Sequence, residues 1–142
     1  MEFTPGSRSV KVHTRLGKPY RVQVPKMLVA SENMTYGTTL DLVACPEFVS
    51  FWTRLEDECK VYADPTLGWK TLLSDGRFRV KIDEKTHVFD SSSNAVYDYG
   101  QTYQNKFVTC ILEVKSVYKF KGMCGISCRT HQIKVHEKQC LL

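Results

Sequence analysis

Arg77-Phe78-Arg79-Val80-Lys81-Ile82 alternates without a break between cationic and apolar side chains. A period of two is the geometry of a β-strand, whose successive side chains point to opposite faces. Phe78, Val80 and Ile82 are therefore expected to face a core, and Arg77, Arg79 and Lys81 to line the other side. Working outward, strand patterns recur at 9–14 and 20–24, joined by a Gly17-Lys18-Pro19 turn, at Thr38 to Ala44, and at Thr86 to Phe89. Three strong segments close the chain at 106–114, 116–121 and 126–136. In the first of these Val108, Cys110, Leu112 and Val114 share a face. If that parity continues, Tyr118 and Phe120 point inward while Lys115, Lys119 and Lys121 point out.

One segment has helical spacing. Pro46 suits a first turn and Glu47 the positive end of a helix, and Phe48, Phe51, Trp52, Leu55 and Cys59 fall on one stripe. Arg54, Glu56, Asp57, Glu58 and Lys60 are expected on the wet face. About eight strands and one principal helix, with no internal repeat or low-complexity linker, make the chain mainly β, a barrel or sandwich, with a small OB-like β barrel among the candidates.

The 142 residues suit a single domain, with residues 1–8 as a flexible N-terminal tail. Net charge is only +5, but it is unevenly spread. Lys/Arg against Asp/Glu is six to two over residues 1–35, three to seven over 36–76 and eleven to six over 77–142, or +4, −4 and +5. Basic ends flanking an acidic middle point toward a polyanion. No apolar run approaches a membrane span, and the N-terminus lacks a signal-peptide core, so no membrane association is expected.

Candidate chemistry is sparse. There is no phosphate loop, His13, His87, His131 and His136 are scattered, and Glu56-Asp57-Glu58 fan out around a helix, so an enzyme is not expected. Cys124, Cys128, His131, His136 and Cys140 have zinc-like spacing, but on a continuous strand Cys128 and His131 face opposite sides unless a bulge intervenes. No metal or other cofactor is expected. Cys45, Cys59 and Cys110 occupy apolar positions and are expected as buried thiols, in keeping with an intracellular, reducing compartment.

Binding of a single strand needs a cationic track for phosphates and aromatic platforms for bases. Arg77, Arg79, Lys81, Lys115, Lys119, Lys121, Arg129 and Lys134 are the candidates for the track. Trp69, Tyr97, Tyr99 and Tyr103, which lie in loops, are the candidates for stacking. The expected partner is single-stranded DNA, with RNA an open alternative, and an unpaired edge strand near either terminus would allow self-association. A second class of function is a protein- or peptide-binding β module, Tudor-like or a host-interaction domain, in which Trp69 and the loop tyrosines form a side-chain pocket.

Several segments carry a resemblance. Leu40-Asp41-Leu42 precedes a Phe/Trp-bearing helix ending in Leu55-Glu56-Asp57-Glu58, and Phe78-Arg79-Val80-Lys81-Ile82 leads through Thr86 to Val88-Phe89-Asp90. Val108-Thr109-Cys110-Ile111-Leu112-Glu113-Val114 is followed by an aromatic strand, then by Gly125-Ile126-Ser127-Cys128-Arg129-Thr130-His131-Gln132-Ile133-Lys134-Val135. From Leu40 onward this order resembles the single-stranded DNA-binding proteins of large eukaryotic DNA viruses, the nucleocytoplasmic group and its relatives. Tyr118 and Phe120 stand where that family often carries a tryptophan. The resemblance implies an OB-like fold and non-enzymatic, cooperative coating of single strands during replication or recombination. It also implies an intracellular setting, a host nucleus or a cytoplasmic replication site, and Arg79, Lys81 and Lys134 match its pattern.

Overall fold

The computed structural model describes every residue except 7–8, 36, 97–101 and 137–142. In chain order the elements are β1 (Glu2–Pro5), β2 (Ser9–His13), β3 (Tyr20–Asn33), β4 (Thr38–Val43), α1 (Pro46–Lys60), β5 (Gly68–Lys70), β6 (Leu73–Ser74), β7 (Arg77–Ile82), β8 (His87–Phe89), β9 (Ala95–Val96), β10 (Phe107–Phe120) and β11 (Met123–His136). Glu2–Pro5, expected within a tail, pairs antiparallel with β2.

Among the described residues the strands form one eleven-stranded sheet whose main path runs β6-β7-β4-β3-β10-β11-β8-β9. It curls so that β7 returns against β11, giving an open, OB-like barrel with α1 over its core. The segments at 9–14 and 20–24 do not pair with each other. Both run along β10, where Lys11 faces Ser116 and Tyr20 faces Val114. β3 is much longer than expected, because register shifts opposite Cys110 and at Ser31 let it bend out of pairing with β10 and into pairing with β4.

The decisive strand behaves as its alternation requires. Phe78, Val80 and Ile82 are buried and Arg77, Arg79 and Lys81 exposed. Phe78 meets the helix edge-on, its ring centroid 4.8 Å from both Phe48 and Trp52 at interplanar angles of 74° and 67°. Such pairs add roughly 0.5–1.5 kcal/mol beyond the apolar area they bury. Pro46 opens the helix and Lys60 sits in its last turn, matching the dipole. Phe48, Trp52, Leu55 and Cys59 are buried as the spacing predicts, while Phe51 is 37% exposed and flanks the stripe.

Glu56 departs from its expected wet position. It is 5% exposed, and its carboxylate accepts hydrogen bonds from the Trp69 indole N–H (3.0 Å) and the Thr71 hydroxyl. These donors replace the water lost on burial. The loop after the helix is thereby tied back onto it.

The parity expected for the last hairpin also fails, for a local reason. Val114 pairs with Cys128 and Ser116 with Ser127, which leaves Lys115 as an extra residue, a β-bulge. Beyond it Val117 is the buried residue, at 3% exposure, and Phe120 is 64% exposed. Tyr118 and Phe120 therefore leave the core face. The hairpin closes on Lys121-Gly122, both at positive φ (49° and 78°), the two-residue turn whose twist suits paired strands.

Truncating Trp52 to alanine is expected to destabilise the fold by about 3–5 kcal/mol. Urea unfolding followed by far-UV circular dichroism checks this, and a loss below about 1 kcal/mol would contradict the central place given to the aromatic cluster.

Candidate nucleic-acid interface

The outer face of β7 opens into a cleft of about 630 Å³ whose lining includes Lys70, Arg77, Arg79, Asp41, Asp75 and Tyr118. Each wall has a local cause. β4 and β7 pair in register, so Asp41 stands opposite Arg79 and Thr39 opposite Lys81. β5 runs parallel to the start of β11, with Lys70 beside Gly125. Tyr118 stands across β10–β11 from Gly125, and a Cβ at that glycine would lie 2.7 Å from the tyrosine hydroxyl. The missing side chain lets the Tyr118 ring lie against the backbone of β11. Beyond it, Phe120 and Met123 form an exposed apolar tip, and the Lys121 ammonium sits 5.2 Å from the Phe120 ring centroid.

Arg79 is partly engaged. Its Nε donates to Asp41 Oδ1 at 3.0 Å and its Nη2 to Oδ2 at 3.5 Å, and Ser31 donates to the same Oδ2 at 3.1 Å. The Arg79 hydrogen bond is the main reason the Asp41 carboxyl titrates below its ordinary 3.8, against a smaller opposing effect of burial. With side chains 61% and 24% exposed, the pair contributes no more than about 1 kcal/mol. Arg79 thus keeps donors for a phosphate while being held in place.

The other candidates for the track scatter. Lys81 is exposed on the same face of β7, and Lys115 is the exposed bulge residue. Lys119 falls on the opposite side of β10 from Tyr118 and binds Asp64 at 3.2 Å. The Thr66 hydroxyl and backbone N–H, then Lys119, hold that carboxyl down at about 2. Arg129 is mostly covered, with Asp83 at 3.4 Å and Glu113 at 4.0 Å. Lys134 donates to the Ser93 hydroxyl at 2.8 Å on another part of the sheet.

Of the stacking candidates, Tyr103 needs correction, because its ring is buried. Trp69 is half-buried against α1, its N–H on Glu56 and the Lys60 ammonium 5.7 Å from its ring centroid. Tyr103 is 7% exposed, and its backbone N–H donates to Glu32 at 2.6 Å. Tyr103 is therefore covered and Trp69 half-covered, where a loop position suggested two exposed rings. Tyr97 and Tyr99 lie outside the described residues. Reasoning from sequence missed Lys70, Tyr118 and Phe120, the latter two because a bulge leaves no composition signal.

The zinc-like group is dispersed. Cys124 is buried, and Cys128 lies on the helix side, its thiol pushed up by burial and by the nearby Cys59 and Glu56. His131 faces the other way, 3.3 Å from Glu113, and His136 contacts the Thr109 hydroxyl at 3.1 Å. A bulge does fall at His131, but it displaces only the residues after it. Cys140 lies outside the described residues, and among those described no group of three His, Cys, Asp or Glu side chains could hold a metal ion. Cys59 and Cys110 are buried, each thiol pushed up by burial to about 12, while Cys45 is half-buried before the helix.

No family model and no curated protein matches the chain. Solved structures do. The C-terminally truncated single-stranded DNA-binding protein of bacteriophage Enc34 superposes with a TM-score of 0.62 at 11% identity, over 99% of this chain and 98% of that one. The untruncated Enc34 protein gives 0.60 at 11% identity, over 97% and 91%. Bacteriophage T7 gp2.5, also a single-stranded DNA-binding protein, gives 0.57 at 14% identity, over 84% and 93%. The likeness is one of fold. It covers nearly the whole chain for the two Enc34 structures.

The Asp41 carboxyl is expected to titrate below 3.8 by carbon NMR, and to move back toward that value in Arg79→Ala. Because its folded pKa is depressed, the stability it contributes is present above the unfolded value and is lost as pH falls through the folded one. The stability gap between wild type and Arg79→Ala should therefore close on acidification below about pH 4. A gap unchanged by acid would remove the pair from this account.

Proposed function

We propose that this protein binds single-stranded DNA along the β4–β7 face and coats it without altering it chemically. The observation that carries the reading is the bulge at Lys115, which turns Tyr118 and Phe120 out of the core and sets Tyr118 beside Lys70, Arg77 and Arg79. Cations on one wall and rings at the end form the pairing that sequence-tolerant single-strand binding uses: phosphates along the basic track, bases on the aromatics. In OB folds generally, the corresponding strand face and the two loops beside it receive oligonucleotides. The phage proteins named above, described as single-stranded DNA-binding, support the same reading.

The finer setting is coating during replication or recombination of a viral-type genome, inside a cell and in a reducing compartment. The structural likenesses come from bacteriophage proteins, whereas the resemblance to the proteins of large eukaryotic viruses is one of sequence pattern. Cooperative coating would use an open edge, and among the described residues β1 pairs only with β2. That edge is a ready template for a second copy.

A titration of oligothymidine, its duplex and a matched RNA at two salt concentrations tests the proposal. The single strand should bind tighter than the duplex, with affinity falling steeply as salt rises. Removing one phosphate contact, by Arg77→Ala, Arg79→Ala or Lys70→Ala, should flatten the log–log salt slope by about 0.7. Tyr118→Ala or Phe120→Ala should each cost about 1–3 kcal/mol with the slope unchanged. No binding at low salt, or binding that all five substitutions leave intact, would reject the cleft.

A further inference from the structure

A second concavity lies on a different part of the sheet, the outer face of β3, β10, β11 and β8. Its volume is about 290 Å³, and its lining includes Gln23, Ile111, Gln132, Phe89, Ser93 and Lys134. Strand register builds it as two adjacent rows. Gln23 pairs with Ile111 and Ile111 with Gln132, while Thr109 pairs with Lys134 and Lys134 with Phe89. The bulge at His131 places Gln132 on this outer face, between the buried Thr130 and Ile133. Without that extra residue, alternation from Thr130 would have put Gln132 in the core.

One wall is fixed before any ligand arrives. Asp90 Oδ1 accepts the backbone N–H groups of Ser92 and Asn94, and Ser93 is held at φ 64°. This pins the turn after β8 and presents the Ser93 hydroxyl, which accepts from Lys134 Nζ at 2.8 Å. Thr109 is engaged with His136. Gln23 and Gln132 are different: their carboxamides make no hydrogen bond among the described residues, and Ile111 lies between them. Two carboxamides flanking an aliphatic floor, with an aromatic ring at one end and an ammonium at the rim, form a specific set of complements. A carboxamide offers a donor and an acceptor side by side, the pattern of a nucleobase edge. A phenyl ring suits a base's face, and an ammonium suits its phosphate.

We infer that this concavity is a pocket for one nucleotide, whose base is read by Gln23 and Gln132 and flanked by Phe89, with its phosphate at Lys134. The inference goes beyond the β4–β7 cleft and does not need it. That cleft is built from arginines and rings and is indifferent to base identity, whereas this pocket discriminates among bases.

The test is NMR of the full chain labelled with nitrogen-15, titrated with each of the four deoxynucleoside 5′-monophosphates and, separately, with inorganic phosphate. At least one nucleotide should shift the side-chain amide signals of Gln23 and Gln132 saturably. The backbone signals of Thr109 and Ile111 should follow with the same dissociation constant, and the four bases should differ at least threefold. Phosphate should leave the carboxamides in place. In Gln23→Leu/Gln132→Leu, with both changes on the surface, the dissociation constant read at Ile111 should rise at least tenfold.

Carboxamides unmoved by every nucleotide would overturn the pocket, as would equal shifts with phosphate alone, which would mark an anion site. Either result leaves the cleft untouched. Conversely, loss of oligothymidine binding in the arginine variants says nothing against the carboxamide shifts.

Discussion

The edge-on packing of Phe78 against Phe48 and Trp52 is the contact on which the rest of the molecule depends. It couples the two periodicities of the chain, two along β7 and 3.6 along α1, at a point where both must be satisfied together. A one-residue slip of β7 would bury Arg77 and Arg79 and expose Phe78, so the cluster specifies register as well as stability. With register fixed, Asp41 faces Arg79 and the cations of β7 have no alternative to the outer face. The basic wall of the cleft is thus a by-product of where three aromatic rings pack.

Bulges do the remaining work of shaping. A regular β10–β11 hairpin would continue one face from Val108 to Phe120 and enclose its aromatic residues. One extra residue at Lys115 ends the core side at Val117 and hands Tyr118 and Phe120 to solvent. A second bulge at His131 does the same for Gln132. Both lie in the longest strands, where an uninterrupted pleat would leave no room for a concave outer surface.

Much of the fold was legible in the sequence because alternation is a strong local signal. The outward set on β7, the inward set at Val108, Cys110, Leu112 and Val114, and the helical stripe from Phe48 to Cys59 all follow from spacing alone. What was not legible depends on contacts between distant segments. Glu56 is buried because Trp69 and Thr71, from a separate loop, bring donors to it. Tyr103 is buried because Glu32, some seventy residues earlier in the chain, fixes its backbone. Loop aromatics looked available for stacking because sequence gives no measure of how far a loop folds back. The candidate cleft was therefore half visible: the outward cations of β7 follow from alternation, whereas the outward turn of Tyr118 depends on a bulge that spacing does not announce.

The distribution of ion pairs sharpens the difference between carrying charge and presenting it. Arg21 and Arg129 converge on Glu113, with Arg129 also reaching Asp83, so this part of the sheet holds its charges in mutual contact. Lys119 is held by Asp64 in the same way. A phosphate meeting any of these groups competes with a carboxylate already in place. Arg77, Lys70 and Lys81 have no such partner among the described residues, and Arg79 shares only part of its guanidinium. Half of a chain's basic residues can thus lie in one segment without forming an interface. What makes a track is the subset left unpaired, on one face, next to rings that the backbone has turned outward.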